Sequence, residues 1–591
     1  MKKLLLLILL IPINVFGLTE AVVNIDSLSI KEIQKYVDKG YLTYEQITRM
    51  YLDRINQYNT LYNAVITINE NAIEEAKKLD LEYKNNGRRS LVHGIPILVK
   101  DNIDVKGLPT TAGAKGLLDS IPYDDAPVIK KLRDSGAIII AKANMDEFAF
   151  NANFSHSSFG YVYNAYNTKY SSYGSSGGTA VGVASNLAVA GLGSDTGVSI
   201  RVPSSANNLV GLRPSKSIIN TDGVIKFEAL RDVVGPITKY VSDNAIILEI
   251  IDETDKKYTE FKDLNGIKIG VFRSVYNNSN KFIRVLMDKQ IENLKKLGAE
   301  VKFIDTFSPT YKFDATTFCY DFNEYIKNTN SKIKSLDDLI KNGGYTQYID
   351  SYNGYYCNND YRLTSSYKNY VDVRNNNIKY VNNKFDSLEL DAIIYPTLQS
   401  EVMLLSEVYS TKIKTFSYAI APLVGFPAMS IPMGFYNNMP YGMEILSKDG
   451  SENIIYNIAY NLEKINNFYK LPDISPSLYE VSEKMNVLLY YYEDNNSNKE
   501  YIEVKNEIKD FINNYNDISN KEEKINELIL KYENVPNVIL ENKKIKEEKN
   551  KTIKIVVIPI IVIAFLFIIL IKVVKHEKTK WNYWLSIWYF N

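Results

Sequence analysis

The sequence predicts an α/β fold in which a sheet is covered by helices on both faces. Three observations predict it. Short apolar runs alternate with helical segments through the N-terminal half, capping signatures open the first helices, and the composition is globular, with 45% hydrophobic and 23% charged residues. A chain of 591 residues is too long for one ordinary core, so more than one structural unit is expected.

The elements follow in order. Lys2 and Lys3 precede the apolar run Leu4 to Ile11, and Val15-Phe16-Gly17 offers small-to-moderate residues for cleavage. Residues 1–17 therefore read as a secretory signal peptide, the run being short for a membrane span. Ser29-Ile30-Lys31-Glu32 and Thr43-Tyr44-Glu45-Gln46 are capping boxes that each open a helix, with Gly40 between them as a stop. A buried strand is expected from Ile95 to Val99, then a helix from Val128 to Ser135 ended by Gly136, and a strand from Ile138 to Ala141. A helix from Thr179 to Asn186 precedes the apolar run Leu187 to Leu192. The theme repeats in the strand from Ile267 to Phe272, the helix from Phe282 to Leu297 and the strand from Glu300 to Ile304. Residues 310–390 are rich in Tyr, Asn and Lys and weakly periodic. They read either as a helical insert lining a groove or as solvated helices and loops without a role.

From residue 473 the character changes. Residues 473–552 are polar with apolar residues at helical spacing, which predicts a helical stalk or linker; no sustained heptad marks a coiled coil. Ile555 to Ile571 is an unbroken apolar run followed by Lys572, Lys575, Lys578 and Lys580. It predicts one transmembrane helix over 553–574 and a short cytoplasmic tail over 575–591, whose Trp581, Trp584 and Trp588 suit the headgroup region. The signal peptide sets the orientation: residues 18–472 form the main domain, outside the cytoplasm.

Several function classes fall away. Lys plus Arg equals Asp plus Glu at 69 each, so charge gives no reason to expect a nucleic acid partner. His93, His156 and His576 share no ligand spacing and there is no Cys-x-x-Cys, so no metal site is expected. Cys319 and Cys357 are open to either reading, a disulfide or two independent thiols. The oligomeric state is likewise open.

The chemistry concentrates in two loops. Tyr173-Gly174-Ser175-Ser176-Gly177-Gly178-Thr179 and Gly193-Ser194-Asp195-Thr196-Gly197-Val198-Ser199-Ile200-Arg201 flank one apolar helix–strand unit, as loops meeting at one point would. A phosphate cradle fails for want of Gly-Lys-Ser/Thr, so no nucleotide or other cofactor is expected. A nucleophilic serine needs a base. Neither His93 nor His156 comes with a Gly-x-Ser-x-Gly elbow, whereas a lysine buried without a counter-charge is neutral in part near pH 7. Lys100 closes the apolar run Gly94-Ile95-Pro96-Ile97-Leu98-Val99, where such burial fits; the ordinary reading is a solvated lysine at a strand end.

The segment from His93 to Asn102, with these two loops, resembles the lysine and serine motifs of the amidase-signature family. The spacing agrees, Lys100 standing 75 positions before Ser175 and Ser175 24 before Ser199. Gly235-Pro236-Ile237-Thr238, Tyr395-Pro396-Thr397 and Gly425-Phe426-Pro427-Ala428 extend the likeness from Ile25 to Lys470. The resemblance implies a central mixed, twisted sheet between helices, and hydrolysis of a linear carboxylic amide, from a small molecule or a peptide, through an acyl-enzyme. It implies Ser199 as nucleophile, Ser175 on a cis peptide as bridging serine and Lys100 as terminal base. The backbone N–H groups of Thr196, Gly197, Val198 and Ser199 would form the oxyanion hole. Ser176, Asp195 and Arg201 would be supports, although an Asp195–Arg201 loop ion pair without a catalytic role is equally consistent. Three positions depart from the family: Val198, Tyr173 and Asn151 stand where glycine is usual. If Val198 had to adopt positive φ, the hole would be distorted. Two other functions therefore stand beside hydrolysis: an inactive membrane-tethered binding protein, and the glutaminase subunit of a tRNA amidotransferase.

Overall fold

The computed structural model describes residues 28–472 apart from 41, 313–316, 347–348, 350–356 and 467. Beyond them it describes 487–488, 491, 498–513, 521–552 and, of 561–576, all but 562, 567 and 574. These residues fall into two compact units divided near residue 476. The signal-peptide reading of 1–17 lies outside the described residues, as does most of the tail.

In the first unit eleven strands form one sheet: β1 (Val65–Ile68), β2 (Pro96–Lys100), β3 (Ile138–Ala143), β4 (Ala190–Asp195), β5 (Val210–Arg213), β6 (Val233–Thr238), β7 (Lys268–Phe272), β8 (Glu300–Ile304), β9 (Ala392–Pro396), β10 (Ala428–Tyr436) and β11 (Met439–Ser447). Their order across the sheet is β1-β3-β2-β4-β6-β5-β10-β11-β9-β7-β8. The sheet is mixed, as expected. β2 runs parallel to both β3 and β4, and β7 to β8 and β9, while β4, β6, β5, β10 and β11 pair antiparallel in succession. The strands β2, β3, β4 and β6 are buried along their whole length, which is why β2 and β3 read as apolar runs rather than alternating patterns.

Both capping boxes form. The Ser29 hydroxyl accepts the Glu32 N–H and the Glu32 carboxylate accepts the Ser29 N–H at 2.8 Å; Thr43 and Gln46 do the same at 3.1 and 2.9 Å. The predicted helices from 128, 179 and 282 appear as Pro127–Asp134, Gly177–Ala184 and Lys281–Lys296, each one or two residues earlier. The run Leu187 to Leu192 becomes β4 only from Ala190, because Asn186 takes φ 56° and reverses the chain first.

The described part of 310–390 is largely helical and packed. Ser365–Ser387 buries Val381 and Phe385 in a cluster with Phe272, Ile393 and Tyr395 from β7 and β9. Phe318–Ile326 places Phe318 and Phe322 against Phe148 and Phe227. Cys319 and Cys357 are joined in a disulfide, which decides between the two readings of that pair.

In the second unit the helices Lys499–Asn513 and Lys521–Thr552 pack together through Ile508, Phe511, Ile525, Leu528 and Tyr532. The polar segment is thus helical with a small core of its own. No helix among the described residues is long and apolar enough to cross a membrane. The first part of the predicted span, 553–560, lies outside those residues, as do 562, 567 and 574; its described part, between Ile561 and Val573, is helical with exposed apolar side chains.

Candidate functional site

The end of β2 carries Lys100 into the centre of the sheet, where its side chain is fully buried. Its Nζ donates to Ser175 Oγ at 2.7 Å and to Ser194 Oγ at 2.8 Å. Asn102 Nδ2 also donates to Ser194 Oγ, at 3.1 Å, and to the Ile225 carbonyl at 3.2 Å, so the lysine's second partner is itself fixed. Burial pulls the Lys100 pKa down to about 7 against the opposing pull of Asp232, Asp195 and Asp146. None of the three carboxylates makes an ion pair with Lys100 among the described residues.

Ser175 lies on the loop ahead of helix Gly177–Ala184, and the Gly174–Ser175 peptide is cis, as the family resemblance implied. Its carbonyl accepts the Asp146 N–H at 3.0 Å. The helix start lies against Asn144, whose carbonyl accepts the Gly178 N–H at 3.0 Å; a Cβ on Gly178 would collide with that oxygen. Ser176 joins the two loops. Its N–H donates to the Ser199 carbonyl at 3.1 Å and its hydroxyl to the Ser194 carbonyl at 3.1 Å.

Ser199 occupies the turn between β4 and the short helix Arg201–Ala206, and is 5% exposed. Among the described residues no hydrogen bond joins the Ser175 and Ser199 hydroxyls; the tie between them is the Ser176 N–H. The N–H groups of Thr196, Gly197, Val198 and Ser199 have no acceptor among the described residues, whereas the next, Ile200 N–H, is taken by Asp195 Oδ2 at 3.1 Å. Four consecutive unpaired donors in a buried loop are unusual, because backbone N–H groups away from water are nearly always paired.

Asp195 and Arg201 hold that loop from beneath. Arg201 Nε meets Asp195 Oδ2 at 3.2 Å, and its other nitrogens reach Glu444, the Ser417 carbonyl and the Gly197 carbonyl. Arg213 adds a second contact to Asp195 at 3.0 Å. All four charged groups are fully buried. Burial works to raise the Asp195 carboxyl, but the two guanidinium groups outweigh it and hold it below the usual range. The Asp195–Arg201 pair is therefore a loop ion pair that also fixes the carbonyl of a loop residue.

The departures from the family pattern behave differently from one another. Val198 is buried and does not take positive φ, so its β-branch meets no backbone conflict. Asn151 is likewise outside the left-handed region. Tyr173 does adopt φ 56°, a conformation that strains a non-glycine residue. Its ring is 1% exposed and its hydroxyl accepts the Met403 N–H at 3.2 Å, interactions a glycine there lacks.

Sequence reasoning missed Ser194 and Asn102 as partners of the lysine. Both stand inside the quoted motifs; Asn102, two residues after the proposed base, was the available signal, whereas Ser194 lies 94 positions from Lys100 and reaches it only through folding. Asp146 and Asp232 carried no such signal; they reach the site only through folding. Asp232 is buried, with Oδ2 accepting the Phe227 N–H at 2.7 Å and Oδ1 without a hydrogen-bond partner, and burial raises its pKa.

The family model described as Amidase matches residues 46–455. The chain belongs to the amidase family. This amidase is 31% identical over 487 residues to a glutamyl-tRNA(Gln) amidotransferase subunit of Thermoanaerobacter pseudethanolicus, covering 76% of this chain and 98% of that one. Among solved structures it is similar to the peptide amidase of Stenotrophomonas maltophilia, with 27% identity, a TM-score of 0.67 and coverage of 76% and 98%. It is also similar to an amidase family protein of Bacillus anthracis, with 28% identity, a TM-score of 0.66 and coverage of 78% and 96%. The amidase is an amide-hydrolysing enzyme with the α/β fold of its family.

Proposed function

We propose that this amidase hydrolyses a linear carboxylic amide outside the cytoplasm, with Ser199 as nucleophile, Ser175 as proton bridge and Lys100 as base. The observation that carries the reading is the run of four unpaired N–H groups ending at Ser199. Such donors stabilise the oxyanion of a tetrahedral intermediate, each worth roughly 3 kcal/mol of barrier. Ser199 Oγ attacks the carbonyl carbon and loses its proton to Ser175 Oγ, whose own proton passes to neutral Lys100. The negative oxygen lies against the N–H groups of residues 196–199. The proton then returns through Ser175 to the leaving nitrogen, the C–N bond breaks, and water releases the acid from the acyl-enzyme by the same relay. The step from Ser199 to Ser175 closes when substrate arrives, since hydrogen bonds in free active sites are often long or unformed.

The Cys319–Cys357 disulfide supports an oxidising compartment, in line with the signal-peptide pattern. The apolar run from Ile555 to Ile571 supports a single-pass anchor with the C-terminus in the cytoplasm; Ile561, Phe565 and Leu566 are each more than half exposed, as lipid-facing residues are. The test is ammonia or amine release from peptide, fatty-acyl and aryl amides by wild type and Ser199→Ala, with a serine-directed fluorophosphonate to label the nucleophile. Turnover and labelling that vanish together in a folded Ser199→Ala protein support the reading; full activity in that variant overturns it.

A second reading is favoured by the relatives: a glutaminase subunit of a tRNA-dependent amidotransferase, in keeping with the name of the Thermoanaerobacter protein. Fractionation separates the two, since that role requires the body of the protein inside the cell. The inactive binding-protein reading rests on Val198 and the long stalk; Val198 does not take positive φ, which weakens the first of these motives.

A further inference from the structure

The four-donor loop meets solvent at one place. Of residues 196–199, Gly197 alone is more than marginally exposed, and the side chain against it is Tyr418. A Cβ on Gly197 would lie 2.6 Å from Tyr418 Cε1 and 2.9 Å from Cδ1, so the ring is in van der Waals contact with the Gly197 backbone and glycine is needed to admit it. The contact is rigidly supported. Arg201 donates to the Gly197 carbonyl and, at 3.1 Å, to the carbonyl of Ser417 immediately before the ring, while the Ser417 hydroxyl is tied to Glu444. One buried guanidinium thus holds the loop and the tyrosine in a fixed relation.

Tyr418 is half-buried, and its hydroxyl makes no hydrogen bond among the described residues. The buried phenol of Tyr395, on the same Glu444 that holds Ser417, behaves differently and donates to Glu444 at 2.6 Å. A carbonyl that reaches the free N–H groups must pass beside the Tyr418 ring, because Gly197 is where the loop opens. A bound molecule that displaces water from this phenol must replace its hydrogen bond or leave the hydroxyl unpaired. A second carbonyl or amide on the substrate replaces it, whereas an alkyl chain does not.

We propose that Tyr418 is a specificity-determining residue that hydrogen-bonds a second amide or carbonyl group of the substrate, so that acylated amino-acid or peptide amides are preferred over simple alkyl and arylalkyl amides. The inference rests on the Ser199 reading above and adds the substrate class to it. Sites built to bond a polar group discriminate strongly against analogues that lack it.

The test uses the full chain, wild type and Tyr418→Phe, on two probes that share a phenyl group and a primary amide: N-acetyl-phenylalaninamide, which carries a second amide, and 3-phenylpropanamide, which does not. Losing one hydrogen bond is expected to raise KM for the first probe about fivefold with kcat retained. The second probe is expected to bind more weakly to wild type and to be unaffected by the substitution. An equal change on both probes, or no change on either, overturns the inference, as does wild type that is labelled at Ser199 by a fluorophosphonate yet hydrolyses neither probe. Absence of labelling strikes instead at the serine reading, and the inference falls with it.

Discussion

If Lys100 takes the proton released by the serines, kcat/KM must follow the fraction of neutral lysine. With its pKa drawn down to about 7 by burial, about a tenth of Lys100 is neutral at pH 6, about half at pH 7 and about nine-tenths at pH 8. The rate constant is therefore expected to rise about tenfold between pH 6 and 8 and then level off. A solvated lysine, neutral only near pH 10.5, would give a climb of about tenfold per pH unit through pH 9. The assay is steady-state ammonia release well below KM, from pH 5 to 10. Lys100→Met serves as control because Glu228 and Asp243 are also pushed up to about 7. That variant is expected to lose about 10²- to 10⁴-fold in rate together with the lysine limb. An unbroken climb through pH 9, or a Lys100→Met enzyme that keeps the limb, refutes the argument. The same shift has a stability consequence. Lys100 binds its proton more weakly folded than unfolded, so between about pH 7 and 10.5 the unfolded state holds more protons and stability rises with pH across that window. Urea midpoints of wild type should thus gain on those of Lys100→Met between pH 7 and 9.

Two further outcomes follow from the loop around Ser199. Val198→Gly should not raise activity, because Val198 already has an ordinary backbone; it should instead lower stability by about 3 kcal/mol through lost burial and added chain freedom, read from urea unfolding. A gain in turnover would mean that the valine obstructs the loop. Arg201→Met leaves Glu444 without a cationic partner and removes one of the two cations on Asp195. It should cost about 4 kcal/mol in the same assay and depress kcat, since the Gly197 carbonyl loses its anchor. A variant as stable and active as wild type would show that Arg213 alone suffices for the loop.

The local signals in this chain were faithful where the physics is local. Ser29 with Glu32, and Thr43 with Gln46, form their caps because each needs only a side chain and the backbone three residues away. The helices from 128, 179 and 282 were legible to within two residues, and β2, β3, β7 and β8 from short apolar runs, whereas the helices Ala72–Asn86, Val241–Ile251 and Glu452–Asn466 and the strands β5, β6, β9, β10 and β11 were not read from the sequence. The turn at Asn186 was not, since nothing in its neighbours distinguishes it from helix.

By itself the sequence determined the α/β class and the two serine loops, because these are statements about residue type and spacing along the chain; the role of Lys100 and the glycine departures came from the resemblance to the amidase-signature family. Tertiary structure alone decided the rest. It closed Cys319 onto Cys357 across 38 residues, and it brought Ser194 and Asn102 to Lys100, and Arg213 and Glu444 to the Asp195–Arg201 pair. It also gave Val198 a backbone outside the positive-φ region and set Tyr418 against Gly197. The reason is the same in each case. The pKa of a lysine, the φ of a valine and the freedom of an N–H are set by neighbours that lie close in space and far apart in the chain, and only packing brings them together.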